Sequence, residues 1–310
     1  MKNLLIIALL FISIAGLSQG QRQMSSFQFF QSYFNPAQTG FEGTAVRGLY
    51  RNQWSGFDGA PKTFYLGGDF VEGGHGIGLN LYQDTFGPFR ESELMLNYSY
   101  TVPLTREIQL RAGGAMHASF QRLDGSKMVL NQQGDQSLMD LYGTMNKSAM
   151  VDFNVGLSLT GRYFYLGYAL NNASRGAIRT AEDFFQSQSN MRHIGQMGVR
   201  IPVSTSLTIN SNGLMRYDAV NGFQADVQVK AVMMNMVWVG TSYRTDNTLS
   251  ALVGMKLSNM QIGFVCELPT SKIAITRTTE FSISYLINRS STRYHYLRAG
   301  GGSTRKQSIW

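Results

Sequence analysis

Ten residues at 151–160, VDFNVGLSLT, carry the constraint that most limits what this chain can fold into. Val151, Phe153, Val155, Leu157 and Leu159 fall on one face of an extended backbone, and Asp152, Asn154, Gly156, Ser158 and Thr160 on the other. FQADVQVKA repeats the pattern, with Asp226 and Lys230 on the polar face opposite Val227 and Val229. MQIGFVCE sets Met260, Ile262, Phe264 and Cys266 against Gln261, Gly263, Val265 and Glu267, and EFSISYLI sets Phe281, Ile283, Tyr285 and Ile287 against Ser282 and Ser284. The apolar faces carry no charge. A slip of one residue turns Asp152, Asp226, Lys230 or Glu267 to the apolar side, where a basic group at a bilayer midplane costs about 2–4 kcal/mol.

Read this way, residues 44–287 offer about fourteen strands, mostly of the length that a tilted membrane strand needs. The connections alternate as well. VEGGH, PLTRE, Gly161, STS, VMMN and SN follow the even strands, whereas 51–62, 84–92, 121–149, 171–193, 217–222, 244–248 and 268–279 follow the odd ones. Short turns at one end and long loops at the other are the layout of an outer-membrane barrel. The fold class is therefore all-β: a transmembrane outer-membrane β-barrel of about 14 antiparallel strands, with short periplasmic turns and long extracellular loops. An even strand count predicts both termini in the periplasm. A secreted β-sandwich alternates similarly but does not sort its loops by side, and its strands are shorter.

Residues 1–20 read as a signal peptide: Lys2, an apolar run from Leu4 to Ala15, then small residues up to a cleavage site after Gly20. Elsewhere no window of eighteen apolar residues suggests a membrane helix. Cys266 is the only cysteine, so no internal disulfide forms in this exported chain. The barrel domain is then 21–287, followed by a basic tail at 288–310. Of the net charge of +8, five units come from Arg289, Arg293, Arg298, Arg305 and Lys306 in that tail, which holds no acid. It suits anionic lipid or an acidic periplasmic protein face, and nucleic acid is a poor partner for an exported protein.

Little in the chain suggests chemistry. His117 and Ser119 share a strand face, but one that continues Gln109, Arg111 and Gly113 into the lumen, where a lipase nucleophile would have no substrate. Asp84, Glu91, Glu93, Asp135 and Asp140 form no evident catalytic pair, and no residue spacing suits a metal. GGHGIGLN leads into a strand rather than a helix, so it cradles no phosphate. No enzyme activity, cofactor or small-molecule substrate is expected. Arg111, His117, Asp152, Arg200, Asp226, Lys230 and Glu267 are the candidate lumen-lining residues.

The most distinctive stretch is YRNQWSGFDGAP at 50–61. It combines turn-forming Gly56, Gly59 and Pro61 with Arg51 and Trp54, residue types that anchor protein interfaces. As the first long loop it either folds into the barrel mouth as a plug or meets a partner. Together with FNPAQTG at 34–40, it resembles the opening of the PorP/SprF family of type IX secretion system membrane proteins. The resemblance continues through GHGIGLNLYQDTFGPF, NYSYTVPL, FYLGYAL, VWVGTSYR and EFSISYLI. Asn35, Pro36, Arg51, Trp54, Gly59 and Pro61 are thus the candidate plug or partner-binding residues.

The resemblance implies a cell outer membrane barrel that is a non-enzymatic adaptor of the type IX machine. Its partners would be other secretion components and secreted cargo with a C-terminal sorting domain, including gliding adhesins, whose export or surface retention it assists. Loops 121–149 and 171–193 would contact the cargo. FVCE at 264–267 departs from the family's aromatic-rich strand end, and the basic tail is a second departure. The competing expectation is a porin-like solute channel, whose lumen would have to stand open.

Overall fold

The computed structural model describes residues 23–124, 148–173, 191–269 and 277–288. The expected signal peptide, the basic tail and most of the two longest loops lie outside them. The strands are β1 (Thr44–Asn52), β2 (Lys62–Glu72), β3 (His75–Phe86), β4 (Phe89–Pro103), β5 (Gln109–Leu123), β6 (Ser148–Thr160) and β7 (Phe164–Asn171). There follow β8 (Arg192–Pro202), β9 (Leu207–Asp218), β10 (Gly222–Met233), β11 (Val237–Arg244), β12 (Thr248–Leu257), β13 (Met260–Pro269) and β14 (Thr278–Asn288). Each pairs antiparallel with its sequence neighbours, and β1 pairs with β14 to close the barrel. At the seam Arg51 stands opposite Glu280 and Tyr50 opposite Phe281.

Alternation sorts every strand in the expected sense. Phe153, Val155 and Leu157 are exposed outward, whereas Asp152, Asn154 and Ser158 are buried inward. The inversion of exposure for apolar residues is what a lipid-facing wall requires, because the hydrocarbon takes the place of a protein core. No edge strand is left, so every strand has a hydrogen-bonded neighbour on both sides.

The rim of short turns is as expected, from Gly73–Gly74 to Ser258–Asn259. The other rim is less regular than the sequence suggested. β3 and β4 run on through the expected 84–92 loop and are joined only by Gly87–Pro88, with Phe86 opposite Phe89. β9–β10 and β11–β12 close with 219–221 and 245–247. Asp84, Arg90 and Glu91 made the first of these look like loop. Strands that project beyond the bilayer carry such polar residues without cost, so composition did not mark their ends.

A sheet of fourteen strands encloses more space than its own side chains fill. Residues 23–43 occupy it, as a 3-10 turn at Phe27–Phe29, a helical turn at Gln31–Phe34 and a 3-10 turn at Pro36–Gln38. Met24, Phe27, Phe30, Tyr33 and Phe34 form the one hydrophobic cluster among the described residues, against Tyr65, Tyr82 and Trp238 of the wall. The wall also supplies Leu49, Met95, Ile194 and Leu214 to this cluster, so the aromatic rings of the segment complete a core that the two share.

The inside-out arrangement predicts that Val155→Arg, on the lipid face, lowers stability in vesicles by about 2–4 kcal/mol, read as a shift in the urea unfolding transition. The neighbouring lumen substitution Ser158→Ala should cost no more than about 1.5 kcal/mol, one neutral hydrogen bond.

Candidate functional site

The lumen is built from the top down by charge. At the rim of the long connections, Gln23 Nε2 donates to Asp246 Oδ2 at 3.2 Å, in the turn between β11 and β12. The amides of Ser25 and Ser26 donate to the two carboxylate oxygens of Glu280 at 2.8 and 2.9 Å. Glu267 accepts from Ser25 Oγ and from Arg51, whose Nη2 lies 2.9 Å from Oε2. Arg51 also reaches Glu280. Arg244 donates to Gln23 Oε1 at 2.9 Å and to Ser25 Oγ at 2.8 Å, and pairs with Asp226, which also holds Arg216.

Three arginines and three carboxylates therefore form a neutral, buried chain through β9, β10, β11, β13, β1 and β14, and it crosses the seam where the barrel closes. Buried ions are tolerated only when their charges and lone pairs are this fully engaged. Two of the acceptors are completed by backbone amides of the inner segment, so wall and segment satisfy each other.

Below this network the segment is held mostly by single hydrogen bonds to wall side chains and carbonyls. Tyr33 Oη donates to Glu93 at 2.9 Å, and Glu93 in turn lies 3.2 Å from His117 Nε2. Gln228 Nε2 donates to the Ser25 carbonyl at 3.0 Å, and Asn97 Nδ2 to that of Ser32 at 2.8 Å. Asn35, fully buried, caps the turn that follows through Ala37 N at 2.9 Å and donates to the Leu157 carbonyl at 3.2 Å. Gln38 Nε2 donates to Ser158 Oγ at 2.8 Å, and the Thr39 carbonyl accepts from Ser99 Oγ at 2.9 Å and Arg111 Nη2 at 2.7 Å.

The wall is cut back to receive this stretch. A Cβ at Gly113 would stand 2.5 Å from Ala37 N, and one at Gly156 would stand 2.0 Å from Asn35 Oδ1. Glycine on the lumen face of these strands therefore reads as close approach of a second backbone. From Gln23 at one rim to Thr39 beside β3 at the other, the chain traverses the whole lumen before β1 begins.

Thr44 and Asn288 meet at the short-turn rim, as an even strand count requires. Gln23 lies at the opposite one. Strand counting alone did not anticipate this, because it treats everything before the first strand as lying outside the barrel.

The structure divides the candidate residues. Asn35, Pro36 and Arg51 sit in the filled lumen. Trp54 does not: it is 39% exposed on the rim connection 53–61, held with φ of 52° while its amide donates to Thr278 Oγ1 at 3.2 Å. Gly59 and Pro61 belong to the same rim loop, where the Gly59 carbonyl accepts from Gly87 N at 2.9 Å and that of Pro61 from Gln53 N at 3.0 Å. Of the expected loop 51–62, residues 53–61 lie at the rim and Arg51 points inward from β1, while the space inside is taken by residues 23–43.

Arg111, His117, Asp152, Arg200, Asp226, Lys230 and Glu267 are all buried on the inner face. His117 and Ser119 face different carboxylates, since Ser119 Oγ donates to Glu91 at 3.1 Å. Sequence reasoning missed Gln23, Ser25, Ser26 and the aromatic residues of FQFFQSYF. Their signal was an aromatic run with no period of two, placed immediately before the first strand.

Removing the central cation takes the ion-pair partner from buried Glu280 and leaves Glu267 with Arg244 at 3.5 Å. Arg51→Met is predicted to cost about 3–5 kcal/mol, measured as loss of resistance to heat and denaturant in lipid. The double change Arg51→Met with Glu267→Gln should recover a large part of it.

Comparison with known proteins adds the following. The family model described as "Type IX secretion system membrane protein PorP/SprF" matches residues 16–285. No curated protein matches the sequence significantly. Among solved structures, the CymD monoaromatic hydrocarbon channel is similar with a TM-score of 0.50 at 11% identity, over 84% of this chain and 93% of that one. The Ralstonia pickettii toluene transporter TbuX has a TM-score of 0.48 at 12% identity, covering 81% and 91%. For the Acinetobacter baumannii outer membrane protein Omp33 the values are 0.45 and 8%, covering 79% and 98%. At these identities the likeness concerns the barrel fold alone.

Proposed function

The chain belongs to the PorP/SprF family of type IX secretion system membrane proteins, and we propose that it is a non-enzymatic adaptor of that machine. The observation that carries this reading is the filled lumen. A barrel whose interior is packed with Phe27, Phe30, Tyr33 and Phe34 and tied across its closing seam does its work at its two mouths.

In this reading the long connections face outward and the short turns face the periplasm, following the usual asymmetry of outer-membrane barrels. The two longest connections, 121–149 and 171–193, most of which lie outside the described residues, are then assigned to cargo that carries a C-terminal sorting domain, including gliding adhesins, for export or for surface retention. Rim loop 53–61, with Trp54 and Phe57 exposed, extends that surface. The short-turn rim and the basic tail face the periplasmic part of the machine, and the outer wall contacts outer-membrane lipid.

A solute channel is the competing reading, and it has the same fold as the CymD channel behind it. For this chain to conduct, residues 23–43 would have to leave the lumen and abandon the Ser25 and Ser26 bonds to Glu280.

Planar bilayers separate the two. The purified protein is expected to show no steady single-channel current, and removal of residues 24–42 is expected to produce one. Steady current from the unaltered protein would overturn the adaptor reading. Co-purification of a sorting-domain cargo from intact outer membranes, lost when 125–147 and 174–190 are shortened, would support it directly.

A further inference from the structure

At the rim of the long connections, the lipid-facing side of β2, β3, β4 and β5 carries three rows of outward side chains. The outermost row is Lys62, Thr85, Arg90 and Arg122, each directly opposite the next on the neighbouring strand. Two residues farther into the wall stand Phe64, Gln83, Ser92 and Phe120, and two farther again Leu66, Leu81, Leu94 and Ala118. Successive rows lie about 7 Å apart along the strands, and each row spans about 14 Å across them. Charge thus comes first, then hydroxyl, amide and aromatic groups, then bare hydrocarbon. A bilayer passes through the same order, from headgroups to acyl chains, over an interfacial layer about 5–7 Å deep.

The outermost row lacks a counter-charge. Arg90 faces Arg122 directly, and like charges so placed repel unless an anion lies between them. Lys62, Arg90 and Arg122 are exposed and make no side-chain hydrogen bond or ion pair among the described residues. The flanking acids turn inward, where Thr63 Oγ1 donates to Asp84 at 2.9 Å and Ser119 Oγ to Glu91 at 3.1 Å. Asp124 follows the end of β5 and has an interaction of its own. Farther round the same rim, the outward positions of β8 to β12 carry His193, Tyr217, Phe223, Tyr243 and Leu249 instead. The cations therefore mark one side of the barrel.

We propose that this face binds the headgroup of a phosphorylated glycolipid from the leaflet at that rim. Arg90 and Arg122 share a phosphate, since guanidinium groups match its oxygens with paired hydrogen bonds, and Lys62 reaches a second one. Thr85, Gln83 and Ser92 meet sugar hydroxyls, and the acyl chains lie along the leucine row. A lipid fits better than an acidic protein because the charged row continues directly into side chains that hydrocarbon must cover. The site rests on the wall lying in a membrane and is independent of the adaptor role.

The test is native mass spectrometry of the full-length protein in detergent, titrated with diphosphoryl lipid A and with the same lipid stripped of phosphate. Diphosphoryl lipid A should bind one to one, and at least about tenfold more tightly than the stripped lipid. Lys62→Gln, Arg90→Gln and Arg122→Gln combined should weaken it about a hundredfold, at about fivefold per cation. Heat-modifiable gel mobility checks that this variant is a folded barrel. Where it is not, Arg122→Gln alone should show its fivefold loss. Arg106→Gln with Arg162→Gln removes charge from the short-turn rim and should leave binding unchanged.

Equal binding of the two lipids, or equal losses from the two sets of substitutions, would overturn the proposal. Displacement of the lipid by inorganic phosphate or by poly-glutamate at matching concentration would overturn the lipid assignment, in favour of a free ion or an acidic protein.

Discussion

A wide barrel turns polar groups inward, and something must satisfy them. In this protein the answer is a length of the same chain. The carboxylates of Glu267 and Glu280 are shared between Arg51 and the first residues of the inner segment, and Arg244 joins that segment to Asp226. Because Arg51 lies on β1 and Glu280 on β14, the same groups fix the register in which the barrel closes. The ion pairs themselves lie within the wall, and the segment adds the hydrogen bonds of Ser25 and Ser26 to Glu280 and those that Gln23 and Ser25 accept from Arg244, so filling the lumen reinforces its closure.

The outer half of every strand was legible in the sequence, because hydrocarbon accepts nothing but apolar side chains and the period of two is therefore strict. The run of Val151, Phe153, Val155 and Leu157 could be placed by eye. The inner half was legible as polar, but its partner was not. Asp226 or Gln228 on a lumen face is compatible with water, with ions or with protein, and nothing local distinguishes them. Gly113 and Gly156 were the available clue. Glycine on the inner face of an otherwise regular strand marks where another backbone comes close, here Asn35–Ala37.

The rim shows the complementary limit. Trp54, the largest side chain in the first loop, was compatible with either a plug or a partner surface, and it lies 39% exposed at the rim. Tyr33 and Phe34, a few residues before the first strand, are the ones packed inside. The FNPAQTG motif carries part of the resemblance to the family's opening. The structure gives it a physical meaning: Asn35 caps a turn, Pro36 begins it and Thr39 offers its carbonyl to Arg111 and Ser99.

The central claim is that residues 23–43 occupy the lumen in the membrane. The direct measurement is thiol labelling in intact outer membranes, with Cys266 replaced by Ser and one new cysteine at Ala37, which is fully buried, or at Met234, which is 72% exposed on a turn. A small water-soluble maleimide should modify the Met234→Cys protein rapidly and leave Ala37→Cys unmodified until the barrel is unfolded. Equal labelling of the two in folded protein would contradict the account, since it would mean that the segment does not rest inside the wall.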